Sequence, residues 1–178
     1  MTTNVLISFF CNDRPGVIEE LSSVVESSRG NWLDSQLSRL GGQFAGVLQV
    51  QIPSASRDAL AEALMALEAK GITTSMTNAG VAIAATKVRS LRLLGPDRPG
   101  IVHELTRTLR AAGFNVRALT TEVSTAPMSG ELLFSARAEI EISEGSQMAA
   151  LEEKLERLAE AMTLDIDFVD SFATNPAV

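Results

Sequence analysis

The 178-residue sequence has no tyrosine and only one tryptophan, one histidine and one cysteine. Each scarcity excludes something. With Cys11 alone, no intrachain disulfide can form and no cysteine-rich zinc cluster can assemble. Aromatics make up 4%, so a core must be built from Leu, Val, Ile and Ala. The 46% hydrophobic content is ample for that and argues against global disorder. No apolar run reaches the roughly 18 residues that a membrane span needs, and Met1-Thr2-Thr3-Asn4 lacks a basic leader region. Basic residues are outnumbered, 15 Lys and Arg against 22 Asp and Glu, for a net charge of −7. The acidic residues are spread through both halves, so no patch stands out to hold DNA, RNA or anionic lipid. The expectation is a soluble, cytoplasmic protein with no direct hold on nucleic acid or membrane.

What is present is a repeat. Asn12-Asp13-Arg14-Pro15-Gly16-Val17-Ile18-Glu19-Glu20-Leu21 returns as Pro96-Asp97-Arg98-Pro99-Gly100-Ile101-Val102-His103-Glu104-Leu105, at an offset of 84 (13 to 97). Upstream, Ile7, Phe9 and Phe10 face Leu91, Leu93 and Leu94, and downstream Asn31 faces Asn115. The offset then grows to 90 at Phe44 and Phe134, and to 91 at Leu60, Leu64, Leu67 and Leu151, Leu155, Leu158. The extra residues fall mostly at Thr125-Ala126-Pro127-Met128-Ser129-Gly130, a stretch of turn-forming composition. An insertion confined to a turn is what a duplicated domain tolerates. The chain is expected to hold two domains, 1–80 and 88–172. Residues 81–87 form a linker with Val81 to Ala85 as a candidate extra strand, and 173–178 form a loose tail.

Each copy reads the same way. Val5 to Phe10 is a short apolar strand, and Val17, Ile18, Leu21, Val24 and Val25 then mark one helical face. Ile101, Val102, Leu105 and Leu109 repeat that face, and Gly30 and Gly113 fit the helix stops. A hairpin follows: Trp32 to Leu40, Gly41-Gly42, then Phe44 to Ile52, matched by Val116 to Val123 and Leu132 to Ile142. In the latter, Ala136, Ala138, Ile140 and Ile142 alternate with charged residues, as in a half-buried strand. A second amphipathic helix (Ala59 to Ala69; Met148 to Ala161) and a last strand (Ile72 to Met76; Leu164 to Val169) close each copy. The order β-α-β-β-α-β, twice, predicts an α+β fold of two ferredoxin-like split βαβ units in tandem.

Physical chemistry singles out the Asp-Arg-Pro-Gly turn. It lies at a helix N-terminus, where free amides and the helix dipole favour a carboxylate. Pro15 and Pro99 give up an N–H that has no helical partner, and Gly16 and Gly100 let a ligand approach the backbone. Asp13 and Asp97 can accept from an ammonium group. Amides for a carboxylate with an acceptor nearby describe a site for a free α-amino acid. The plainer alternative is a helix start with Asp as its cap.

Strand, Asp-Arg-Pro-Gly, helix, Gly-then-Asn exit and hairpin, twice in one order, resemble the ACT domain family over nearly the whole chain. The resemblance implies ligand-binding roles for Asn12, Asp13, Arg14, Pro15, Gly16 and Val17, and for Pro96, Asp97, Arg98, Pro99, Gly100 and Ile101. It also implies that Asn31 and Asn115 lie at a domain interface and serve a neighbour's pocket; a turn-stabilising asparagine is the alternative. The stretch Leu40-Gly41-Gly42-Gln43-Phe44-Ala45-Gly46, with no other domain attached, resembles the glycine cleavage system transcriptional repressor group; copy two lacks that stretch. That resemblance implies a small amino-acid effector such as glycine, no cofactor or metal, and control of transcription through a DNA-binding partner protein. A sensor docking onto a metabolic enzyme and a ligand-free interaction module are the alternatives. Small units with open sheet edges are also expected to form a homodimer.

Nothing in the sequence assembles a catalytic set. His103 is the only histidine, and Glu19 takes its place in copy one. Cys11 reads as core-edge packing, since Gly95 replaces it in copy two. Ser22 and Ser23 have no histidine in their copy, and Glu152, Glu153, Glu156 and Glu160 read as a solvated helix face.

Overall fold

The computed structural model describes residues 1–80, 87–142 and 148–169. The candidate strand at 81–85, most of the linker and the tail at 173–178 lie outside the described residues. The chain divides into two units.

In the first unit, alternation along strand β1 (Thr2–Asn12) sends Val5, Ile7, Phe9 and Cys11 to one face, all buried, and Leu6, Ser8 and Phe10 to the other. The buried face is roofed by helix α1 (Val17–Ser27) through Val17, Leu21 and Val25, and by α2 (Arg57–Ala66) through Leu60 and Leu64. Strands β2 (Asn31–Leu40), β3 (Gln43–Pro53) and β4 (Ile72–Asn78) complete an antiparallel sheet in the order β2-β3-β1-β4. The β2–β3 turn is Gly41-Gly42 with φ of 58° and 77°; two consecutive positive φ values are what a two-residue hairpin of right-handed twist demands.

The second unit repeats the plan with β5 (Lys87–Pro96), α3 (Ile101–Ala111), β6 (Asn115–Thr125), β7 (Leu132–Ile142), α4 (Met148–Met162) and β8 (Asp165–Val169), in the order β6-β7-β5-β8. Its core unites Leu91 and Leu93, Ile101, Leu105 and Leu109, and Leu151, Leu155 and Leu158. Even the irregularity is duplicated: β2 carries a register shift between Trp32 and Asp34, and β6 one between Val116 and Ala118. The hairpin insertion is a closed loop, with Ala126 N–H donating to Glu131 C=O at 2.8 Å and Gly130 N–H to Ala126 C=O at 3.0 Å.

Two expectations change. Ile18 and Val102 do not join the buried helical faces; they are 50% and 38% exposed. The sheet takes the stripe i, i+4, i+8 from Val17 and from Ile101, and the next residue lies about 100° round the helix. Gly30 is not the left-handed helix stop. That role belongs to Arg29 (φ 56°), whose equivalent is Gly113 (φ 80°). Gly30 serves a close approach instead: a Cβ there would lie 2.9 Å from the Val25 carbonyl oxygen and 3.0 Å from Val50 Cγ1.

Cys11 and Gly95 show how equivalent positions diverge. Cys11 is buried, with its Sγ 3.6 Å from the Phe44 carbonyl oxygen. At Gly95 a Cβ would stand 2.5 Å from Leu164 Cδ2 and 2.9 Å from the Thr163 carbonyl oxygen. Installing copy one's residue there, Gly95→Cys, is therefore expected to cost about 1–3 kcal/mol through overpacking. Urea unfolding measures it, and an unchanged midpoint would mean that the β8 entry yields freely.

Candidate functional site

Both Asp-Arg-Pro-Gly segments connect the end of a central strand to the start of a core helix. The chain must reverse there within four residues, and a glycine in the left-handed region accomplishes it. Gly16 has φ 93° and ψ −6°, and Gly100 φ 97° and ψ −8°. These values suit the third residue of a type II turn, with proline at the preferred second place. Each glycine is the helix N-cap, and no side chain caps either helix. The alternative of Asp as cap is thus not what the turn does, and the prolines stand just outside the helix rather than in its first turn.

The consequence is a row of open amides. The N–H groups of Val17, Ile18 and Glu19, and of Ile101, Val102 and His103, have no carbonyl one turn back to receive them. Val17 and Ile101 are 2% exposed with their backbone included, so the amides open to a ligand are those of Ile18 and Glu19, and of Val102 and His103. Nothing lies within 4 Å of where a Cβ would project from Gly16 or Gly100, so the approach is clear. Asp13 and Asp97 are held by their own amides, which donate to Gly42 C=O at 3.0 Å and Leu132 C=O at 2.8 Å. Backbone amides with a carboxylate beside them can receive the two ends of a zwitterion.

The surroundings differ between units. In the first, Arg14 Nη1 meets Glu20 Oε1 at 2.6 Å, Lys70 Nζ meets Glu20 Oε2 at 3.2 Å, and Arg14 Nη2 reaches the Lys70 carbonyl oxygen at 3.4 Å. The Glu20 side chain is only 15% exposed. Its hydrogen bond from Arg14, then that from Lys70, holds the Glu20 carboxyl below the usual range despite desolvation, and the same bond raises Arg14. From the hairpin, Arg39 Nη1 lies 3.4 Å from Asp13 Oδ2, and Gln43 Nε2 donates to Asn12 Oδ1 at 2.8 Å. In the second unit Glu104 turns to Arg107 at 2.5 Å, Val123 stands where Arg39 would, and Pro96 replaces Asn12. Among the described residues Asp97 and Arg98 make no ion pair.

Asn31 and Asn115 are not brought to their own unit's turn. Asn31 pairs with Gln51, which pairs with Asn4, nine residues along β1 from Asp13 and on the order of 30 Å away. Asn115 likewise pairs with Glu141 opposite Val88, and donates from Nδ2 to Glu141 Oε2 at 2.8 Å. The residues that sequence reasoning missed are Glu20, Lys70, Arg39 and Gln43. Lys70 comes from the entry of β4, where Ile72 pairs with Cys11, but it is distant in sequence and left no local signal. Arg39 follows from the hairpin register, which sets it opposite Phe44, itself opposite Cys11.

Other features lie apart. A depression of about 400 Å3 on the open sheet face of the second unit is lined by Arg92, Thr120, Ser135 and Arg137 among others. Another of about 350 Å3 lies on the first unit's sheet beside Leu6, Gln36 and Val47. His103 lines a groove of about 580 Å3 along α3 with Thr106, Arg107 and Arg110. Burial pushes the Cys11 thiol up, against the pull of Arg14. No group of His, Cys, Asp or Glu among the described residues is arranged to hold a metal ion. No described helix is long and apolar enough to cross a membrane.

The fold and the turn define a tandem pair of split βαβ modules, each with an uncapped helix N-terminus at the end of its central strand. The ACT domain family model matches residues 3–77 and 91–169, and the chain belongs to that family. A crystal structure of an "Unknown Protein from Galdieria sulphuraria" matches with 27% identity over 97% of this chain and 100% of that one, at a TM-score of 0.82. A structure described as a "putative glycine cleavage system transcriptional repressor" matches with 17% identity, 96% and 99% coverage and a TM-score of 0.71, a likeness of fold. No curated protein matches the sequence at a significant level.

The Glu20 network gives a pH signature. A carboxyl whose pKa is lower folded than unfolded contributes stability that is complete above the unfolded value, about 4.3, and is lost as pH falls through the folded one. Thermal melts from pH 6 to pH 3 should show the wild type losing this contribution in the acid range. Glu20→Gln should lose less on acidification while starting lower at pH 6, and identical pH slopes would count against the network.

Proposed function

We propose that the chain is a non-catalytic amino-acid sensor, whose Asp-Arg-Pro-Gly turn takes the ligand carboxylate on the helix amides and the ammonium on the neighbouring aspartate. The observation that carries this is the pairing of an uncapped helix N-terminus with a carboxylate at the same turn in both units. Membership of the ACT domain family supports it. Glycine is the first candidate: it has no side chain to house, and the approach over Gly16 and Gly100 is open rather than pocketed.

The likeness to a structure described as a glycine cleavage repressor supports a role in transcription of glycine cleavage genes in the cytoplasm. With a net charge of −7, the chain acts there through a DNA-binding partner protein. The working form is a homodimer. Edge strands β2 and β6 present 10 and 11 mostly exposed residues, a long open row of backbone donors and acceptors. Asn31 and Asn115, remote from their own turns, are assigned to a ligand held by a unit of the dimer partner. A ligand that touches two bodies favours one arrangement over another, and shifts the population by its difference in affinity between them.

Titration calorimetry against the twenty amino acids tests the reading. A charge-assisted contact is worth about 1.5–3 kcal/mol, so the double variant Asp13→Ala, Asp97→Ala should bind roughly tenfold to a hundredfold more weakly. Undiminished affinity would refute the site. Light scattering at micromolar concentration should give the dimer mass, and pull-down of the partner with and without ligand should separate a transcription factor from an enzyme.

A further inference from the structure

Resting on that reading, we infer that the second unit takes the amino acid and that the first is closed to it by its own side chains. A zwitterion needs a free anionic acceptor and a free positive end at one turn. The first unit has the parts of both, but each is already engaged. Its carboxylate, Asp13, faces Arg39 at 3.4 Å, and its cation, Arg14, faces Glu20 at 2.6 Å. Glu20 is the decisive element. It stands in the first turn of α1, nearly buried, with a second cation, Lys70, at 3.2 Å. Held there, Glu20 occupies Arg14, so an incoming carboxylate finds no free cation beside the amides. The Arg39 contact is weaker, because the arginine is 74% exposed and water screens the pair. The hairpin nevertheless closes the same side twice, through Arg39 on Asp13 and Gln43 on Asn12.

Every one of these contacts is missing at the second turn by substitution or reorientation. Val123 occupies the Arg39 position and Pro96 that of Asn12, and the register that sets Asp165 opposite Leu94, as Thr73 is opposite Phe10, puts Met162 at that of Lys70. Glu104 keeps the Glu20 position but bonds along its own helix to Arg107 at 2.5 Å. Among the described residues this leaves Asp97 and Arg98 as an exposed anion and cation flanking open amides. The glycines of both turns share φ and ψ to within a few degrees, so the backbone at the helix start is the same and the charged surroundings differ.

Calorimetry on the full chain, with glycine and then serine as probes, decides it. Asp97→Ala, and the near-isosteric Asp97→Asn as a check on folding, should each weaken binding about tenfold to a hundredfold. Asp13→Ala should weaken binding severalfold less than Asp97→Ala does, and that ranking is what the proposal requires. The double variant Glu20→Gln, Arg39→Val should add a second, weaker binding event by freeing Arg14 and Asp13. Loss of binding on Asp13→Ala with Asp97→Ala unaffected would overturn the assignment and leave the sensor reading standing. A wild type that binds neither these probes nor any other amino acid would sink both.

Discussion

The constraint on which the molecule depends is a reversal of chain direction at one glycine. Strand β1 and strand β5 occupy the middle of their sheets, and the helix that follows must run back across the same sheet to cover it. A left-handed residue accomplishes the reversal without a longer loop, and only glycine takes φ near 95° without a Cβ penalty of about 1–2 kcal/mol. The same geometry aims the helix N-terminus outward at the end of the sheet. Core coverage and exposed amides are therefore one feature. The turn that lets Leu21 or Leu105 reach the core also leaves donors with no internal partner.

The duplication acts as an internal control. Two turns with matching backbone angles, on sheets with matching strand order and matching bulges, carry different charge environments. Whatever is common to both belongs to the fold: the glycine, the buried stripe of the first helix, the amide of the aspartate tied to the hairpin. Whatever differs is free to specialise. Among the described residues the Arg14–Glu20–Lys70 network occurs once, and it joins the turn to the entry of β4 across the end of the unit. It makes the first turn a closed electrostatic system.

Architecture was legible in the sequence because it rests on periodicity. Alternation in β7 placed Ala136, Ala138 and Ile140 inside, and the 3.6-residue stripe placed Leu21 and Leu105 on the sheet. The same signal overreached at Ile18 and Val102, since hydrophobicity alone does not say how wide a stripe a sheet can cover. Gly30 misled because two different demands, positive φ and close approach, both select glycine. The turn's place between central strand and core helix was readable from its four residues. Its differing state in the two units was not, because Lys70 is distant in sequence and Glu20 and Glu104 are the same residue type in the same place. Only three-dimensional partners separate them.

The six-residue hairpin loop of the second unit, Ala126 to Glu131, has a consequence for engineering. Its base is closed by the Ala126–Glu131 hydrogen bond, and the next residue, Leu132, accepts the bond from the Asp97 amide. Its tip stands clear of the fold, with Met128 fully exposed. Inserted sequence at Met128-Ser129 would therefore leave both strands in register while sitting a few residues from the aspartate proposed to hold the ligand. That makes the loop a natural attachment point for an environment-sensitive fluorophore or a split reporter, turning occupancy of the turn into an optical signal.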